Sequence, residues 1–334
     1  MYLEFSRKLK KVLDGISNCL IIPHKNPDAD ALGSSMALLS FLTKLGKKTK
    51  VILPNSPPGN LEWMINKRDV ISHEKSPEKT KRYLSSSQII FALDFNSLKR
   101  IGALSREIVS IKTPLVMIDH HESPEKFSTL FLSKPKIGST CEIIYNVMKS
   151  INNELIDKKI ATYIYSGILT DTGSFRFPLT TGDTHNIISE LFKKGINHTK
   201  IHENIYDNFS FERAHLLSVA LKNLKQIENL GVVYSILTKK DLEEHNFKKG
   251  DTEGFVNFGL RIKDVCVSVI FIEDSFEDII KISFRSKGKI DVNKFSKKYF
   301  NGGGHKNASG GYSNDSIKET EKKFISSIKE YFRI

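Results

Sequence analysis

The chain has 334 residues, 39% of them hydrophobic and 10% aromatic, which is enough apolar material for folded cores and more than one average domain needs. That composition excludes a wholly disordered chain, and no run approaches the roughly 18 uninterrupted apolar residues of a membrane span. Lysine and arginine number 51 against 38 aspartates and glutamates, a net charge of +13, so the surface attracts anions such as nucleotides.

In chain order, the opening MYLEFSRKLKKVLDG has no apolar core ahead of a small-residue cleavage site. A signal peptide is therefore not expected, and a cytoplasmic location is. NCLIIPH, from Asn18 to His24, reads as a buried strand, and a helix follows from about Ala31 to Leu45, closed by Gly46. TKVILP is a second strand, SQIIFALD a third ending in Asp94, and PLVMIDHH a fourth ending in Asp119, His120 and His121. Helices are predicted over Ser139–Ile151, Lys158–Leu169 and Thr184–Lys194, the last stopped by Gly195. Short apolar runs alternating with helical patterns mark parallel βαβ units.

Beyond Gly195 the pattern changes. A helical stretch from Phe211 to Ile227 reads as a connector, and VVYSILT, VCVSVIFIED and DIIKISFRSK read as strands. Helices are expected at about Asp251–Lys263 and Asp291–Phe300. A Gly-rich loop, NGGGHKNASGG, and an amphipathic helix, SIKETEKKFISSIKEYF, close the chain. The reading is α/β: a parallel-sheet domain over 1–195, a helical connector over 196–229, and a smaller mixed α/β domain over 230–334, with a cleft between the domains. Cys19, Cys141 and Cys266 lie far apart with no CxxC pair, so they are expected as small buried hydrophobes.

His24, Asp94 and Asp119 to His121 all fall at the carboxyl ends of predicted strands, where open α/β sheets gather their ligands. In HKNPDADALGS, Pro27 disfavours helix for Asn26, and Asp28 and Asp30 then stand at a helix start. A helix start accommodates one carboxylate as a cap. Two carboxylates crowded with an imidazole repel unless positive charge lies between them, and a divalent cation supplies it. Asp94 ends an apolar run with no basic residue before Lys99, so it needs a partner or a metal. In Asp119-His120-His121 an imidazole can ligate through one nitrogen while a carboxylate fixes the other. GILTDTGSFRF adds Asp171 at the end of an apolar helix.

The donors are two imidazoles and four carboxylates, without sulfur. They suit Mn²⁺, with Mg²⁺, Co²⁺ and Fe²⁺ as alternatives, and six side chains fit two ions better than one. His73, His185, His198, His202, His215 and His245 sit in polar loops or on helix faces without ligand spacing, and read as solvated or core-edge residues.

HKNPDADALGS, ALDF, DHH and GILTDTGSFRF, in that order, resemble the four motifs of the DHH phosphoesterase family. FRSK and GGGHKNASG resemble its DHHA1 domain, so the likeness covers nearly the whole chain. By position, the resemblance implies one metal held by His24, Asp28 and Asp94, and a second held by Asp30, Asp94, His120 and Asp171, with Asp94 bridging. It further implies that Asp119 supports the site from behind and that His121 faces the substrate phosphate. Arg285, Ser286, Gly302, Gly303, Gly304 and His305 would bind substrate. Asn301 stands where many relatives carry a further glycine.

The reaction expected is hydrolysis of a phosphate ester by two-metal hydroxide attack, with His121, Asp94 and Asp119 as the catalytic set. Among family members of this make-up, the reading places cleavage of cyclic di-AMP and pApA-like dinucleotides to 5′-mononucleotides first. A nanoRNase (oligoribonuclease) and pAp 3′-phosphatase follows closely, and a nucleotide-binding regulator without turnover belongs to another class. The expected partner is a small nucleotide (cyclic di-AMP, pApA, short RNA or pAp), with no membrane and no long duplex; a homodimer stays open.

Overall fold

The computed structural model describes residues 2–248, 250–274 and 278–332. They form two compact units, residues 1–208 and 209–334. Among the described residues, no helix is long and apolar enough to cross a membrane.

The first unit runs α1 (Tyr2–Asp14), β1 (Asn18–Pro23), α2 (Ala29–Lys44), β2 (Lys48–Leu53), β3 (Val70–Ser72), α3 (Pro77–Ser86) and β4 (Ile89–Leu93). It continues with α4 (Leu104–Ser110), β5 (Leu115–Asp119), β6 (Leu130–Ser133), α5 (Thr140–Asn152), α6 (Lys158–Asp171), α7 (Gly182–Lys193) and α8 (His198–Tyr206). The expected parallel sheet forms, in the order β3-β2-β1-β4-β5-β6, with every pairing parallel.

Alternation along the strands feeds two cores. Cys19 and Ile21 of β1, and Ile89, Phe91 and Leu93 of β4, pack with α1, α2, α5 and α6. Leu20 and Ile22, with Ile90 and Ala92, face the other side, against Leu84 of α3 and Leu104 and Ile108 of α4. Both faces are buried, as a parallel sheet requires, and each large aliphatic side chain removed from water contributes about 1.5–3 kcal/mol. The chain leaves β1 toward β2 and β3, then returns to build β4, β5 and β6 on the opposite side. The strand order therefore reverses between β1 and β4, which leaves a crevice at their carboxyl ends. The edge strands β3 and β6, short and partly exposed, escape the sequence reading.

The second unit comprises α9 (Phe211–Lys222), β7 (Lys225–Ile227), β8 (Val232–Leu237), α10 (Lys239–Glu244), α11 (Val256–Gly259), β9 (Val267–Asp274) and β10 (Ile279–Ser286). It ends with α12 (Val292–Tyr299), β11 (Gly303–His305), β12 (Ala308–Ser313) and α13 (Ile317–Tyr331). Its sheet is mixed, in the order β11-β12-β10-β9-β8-β7, with only β8 and β9 parallel. Phe271, Phe284, Phe295, Phe300 and Phe324 fill the core between this sheet and α12 and α13.

The structure departs from three of the sequence expectations. The helix expected from Phe211 to Ile227 stops at Lys222, because Asn223 donates its side-chain amide to Ile236 O at 3.0 Å and the chain turns into β7. The helix expected over 251–263 shrinks to the single turn of α11, since Gly254 within it adopts a φ of 80°. The Gly-rich loop is in fact a hairpin, β11 and β12 joined by Lys306 and Asn307.

Candidate metal centre

The residue after β1 is His24. Its Nδ1 lies 2.9 Å from Lys25 O, so the N–H belongs there and Nε2 is turned outward. Asn26 takes a left-handed φ of 55°, and the turn is tied down by Asn55, which accepts the Asn26 N–H at 2.6 Å and returns its own amide to Asn26 Oδ1 at 3.0 Å. Asp28 then caps α2: its Oδ1 accepts the N–H groups of Asp30 and Ala31, both at 3.0 Å. Its second oxygen stays out of the cap, 3.7 Å from His24 Nε2.

Asp94 follows β4 and is 1% exposed. Its φ of 61° is a strained conformation for a non-glycine residue. Asp94 Oδ2 lies 3.4 Å from His24 Nε2, whereas Oδ1 lies 3.5 Å from His120 Nε2 and 3.8 Å from His121 Nδ1. One carboxylate thus touches the donors from β1 and those from β5. His120 Nδ1 is held by Ile137 O at 3.1 Å, and its Nε2 reaches Asp171 Oδ2, at the end of α6, at 3.2 Å. Asp30, fully buried, accepts the Thr140 N–H at 2.7 Å and the Cys141 N–H at 2.9 Å. Asp119 accepts the His121 N–H at 2.8 Å and holds its Nδ1 at 2.7 Å, which fixes the direction of the ring.

The donor atoms of His24, Asp28 and Asp94 lie within 4.8 Å of one another, as do those of Asp30, His120 and Asp171. All six residues expected from the sequence are therefore gathered in one crevice. Among the described residues the six other first-noted histidines join no such group.

The electrostatics follow from the crowding. Burial acts to lower the basicity of His24, but Asp28 and Asp94 prevail and raise it to about 10. Burial likewise opposes protonation of His120, and Asp171, Asp94 and Asp30 raise it well above its ordinary value. Burial raises Asp30, helped by the Asp94 and Asp171 charges, and raises Asp171 to about 6. Asp28 and Asp94 resist burial through their bonds with His24 and sit below the usual carboxylate range. Burial pushes His121 down to about 2.

Among the described residues, no lysine or arginine pairs with Asp28, Asp30, Asp94 or Asp171. Four carboxylates and two imidazoles without a fixed cation, mostly out of water, form a donor set of nitrogen and oxygen that fits divalent metal.

In the second unit, Arg285 and Ser286 end β10. Arg285 is half-buried, with Nη1 donating to Phe284 O at 3.0 Å. Ser286 is 7% exposed and its hydroxyl is committed internally, donating to Ile290 O at 2.8 Å and accepting from Asn307 Nδ2 at 2.9 Å. Asn307, which the sequence reading passed over, also bonds Gly288 O and Ile290 O at 3.2 Å. A Cβ on Gly304 would meet Ala308 O at 2.6 Å, and one on Gly302 would meet Ser296 Cβ at 2.6 Å. One on Gly303 would meet nothing within 4 Å, so close backbone packing requires the outer two glycines but not the middle one. His305 ends β11, half-buried. Asn301 has φ of 49°, a conformation that glycine and asparagine share.

Residues 18–168 match the family model described as the DHH family, N-terminal domain, and residues 229–333 match the DHHA1 domain. The probable bifunctional oligoribonuclease and PAP phosphatase NrnA of Streptococcus mutans is 30% identical over 294 residues, which cover 87% of this chain and 88% of that protein. The cyclic-di-AMP phosphodiesterase PdeA of Listeria monocytogenes is 22% identical across 98% of this chain, which spans 50% of that protein's length. Among solved structures, an exopolyphosphatase-related protein from Bacteroides fragilis is similar with a TM-score of 0.94 at 36% identity, covering 98% of this chain and 96% of that one.

Proposed function

This chain belongs to the DHH family of phosphoesterases, and from that premise we propose that it hydrolyses short oligoribonucleotides to 5′-mononucleotides and removes the 3′-phosphate of pAp. The observation that carries the chemistry is Asp94, whose two oxygens face His24 on one side and His120 on the other. His24, Asp28 and Asp94 would hold one divalent ion, and Asp30, Asp94, His120 and Asp171 a second, with Mn²⁺ the favoured metal for this donor set. When bound, such ions supply positive charge against the phosphoryl oxygens and make water a nucleophile at neutral pH.

The remaining roles belong to the chain. Asp119 fixes the His121 ring, so Nε2 presents a defined edge toward the phosphoryl group. Arg285 offers a planar fork for a phosphate, and His305 with the backbone of Gly302 to Gly304 offers further donors. Ser286 acts by shaping the turn that Asn307 closes, since its hydroxyl is already committed.

The substrate order rests on coverage. NrnA of Streptococcus mutans matches over most of both chains, which supports short RNA and pAp over cyclic di-AMP as first choice. Cyclic di-AMP and pApA remain the second reading, on the strength of the likeness to PdeA. The purified protein with Mn²⁺ is to be assayed on pAp, RNA of two to five nucleotides, pApA and cyclic di-AMP. Release of phosphate from pAp and of mononucleotides from short RNA, both abolished by chelation, is the expected result. Turnover of cyclic di-AMP alone reverses the order, and tight binding of all four without turnover leaves a nucleotide-binding regulator.

A further inference from the structure

Thr140, the first residue of α5, carries no motif that a sequence reading would single out, yet it touches two of the buried carboxylates. Its hydroxyl donates to Asp94 Oδ1 at 2.9 Å, and its amide donates to Asp30 Oδ2 at 2.7 Å. The next amide, of Cys141, donates to Asp30 Oδ1 at 2.9 Å. Three residues upstream, Ile137 O fixes the His120 ring. The segment is itself anchored, because Ser139 caps α5 by accepting the Glu142 N–H at 3.2 Å. On the far side a Cβ at Gly167 of α6 would lie 2.7 Å from Asp30 Oδ1, so the backbone of α6 passes close to that carboxylate and leaves no room for a side chain.

We infer that Thr140 is a positioning residue for the metal centre: its hydroxyl and amide fix the Asp94 and Asp30 carboxylates before any ion arrives. The inference rests on the metal-centre reading above. The side chain of Asp94 needs such a hold because its backbone is strained at φ 61° and its two oxygens must face different neighbours. His24 and Asp28 are oriented otherwise, by Lys25 O and by the amides of α2, so Thr140 governs only part of the donor set. Outer partners of metal ligands set ligand direction and basicity and are typically worth 10–100-fold in affinity.

The test is calorimetric titration of the metal-free, full-length protein with MnCl₂, alongside circular dichroism. Thr140→Val keeps the shape and removes the hydroxyl, and is expected to weaken Mn²⁺ binding by about 10–100-fold. Thr140→Ser keeps the hydroxyl and is expected to bind as the parent protein does. Should valine disturb the fold, Thr140→Ala serves in its place against the same serine control. Equal Mn²⁺ affinity in the hydroxyl-free variant and the parent overturns the positioning role. A parent protein that binds no Mn²⁺ overturns the metal centre itself, a distinguishable result.

Discussion

His120 Nε2 and Asp171 Oδ2 meet at 3.2 Å, joining the end of β5 to the end of α6. The contact sets two demands against each other. In the proposed metal centre the carboxylate would be a donor, but without metal it crowds Asp30 and Asp94 in a buried crevice, where like charges repel. Asp171→Asn therefore lowers hydrolysis by at least about 100-fold, the upper range for the outer partners of ligands. The same variant melts no lower than the parent protein when both are measured in EDTA. Melting well below the parent would show that Asp171 stabilises the fold rather than straining it.

Gly167 faces the same crevice from α6. A Cβ there would collide with Cys141 Sγ and lie 2.9 Å from Asp30 Cα. Gly167→Ala is expected to cost about 1–3 kcal/mol by overpacking and to displace Asp30. Denaturant unfolding checks the first effect and Mn²⁺ binding the second. Adding Cys141→Ala removes the collision with sulfur and recovers part of the stability, a coupling that a double-mutant cycle measures. Strict additivity would place the clash elsewhere.

The legible part of this site is the part written along single strands. An apolar run that stops at His24, at Asp94 or at Asp119 announces a buried polar group, and alternation places it at a strand end. Asn55, Thr140, Gly167 and Asn307 were not legible, because each acts on a residue distant in the chain and its type alone fits an ordinary loop or helix. The fold shows the same division. The central strands β1, β4 and β5 are buried on both faces and read clearly, whereas the edges β3 and β6 are short and partly exposed. The helix expected over 251–263 failed at its start because Gly254, inside it, takes a positive φ that only the fold reveals.

Glu142 of α5 gives a pH-dependent expectation. It is 3% exposed, and Oε2 accepts from Thr184 Oγ1 at 2.9 Å. Burial raises its carboxyl to about 7 from an ordinary value of 4.5. The folded protein thus holds this proton more tightly than the unfolded chain does. The resulting stability is complete below pH 4.5 and is lost as pH rises through about 7, a difference of about 3 kcal/mol. Glu142→Gln removes that dependence. Melting temperature followed from pH 4.5 to 8 is expected to fall more steeply in the parent protein than in the variant; parallel curves would refute the assignment.

Ser286 and Arg285 are neighbours on β10 with opposite expected consequences. The Ser286 hydroxyl lies inside the network that Asn307 closes over Gly288 and Ile290, whereas Arg285 is a half-buried residue near the end of the strand. Asn307→Ala removes three donated bonds from a partly buried side chain and leaves the Gly288 and Ile290 carbonyls short of a partner. It should cost about 1–3 kcal/mol, with Ser286→Ala toward the lower end. Arg285→Gln should raise KM for pAp by more than it lowers the melting temperature, because the fork that would hold the phosphate is lost. Thermal denaturation and steady-state kinetics on the three variants separate the roles. If Ser286→Ala raised KM as much as Arg285→Gln while keeping the parent's melting temperature, the serine would be a substrate contact after all.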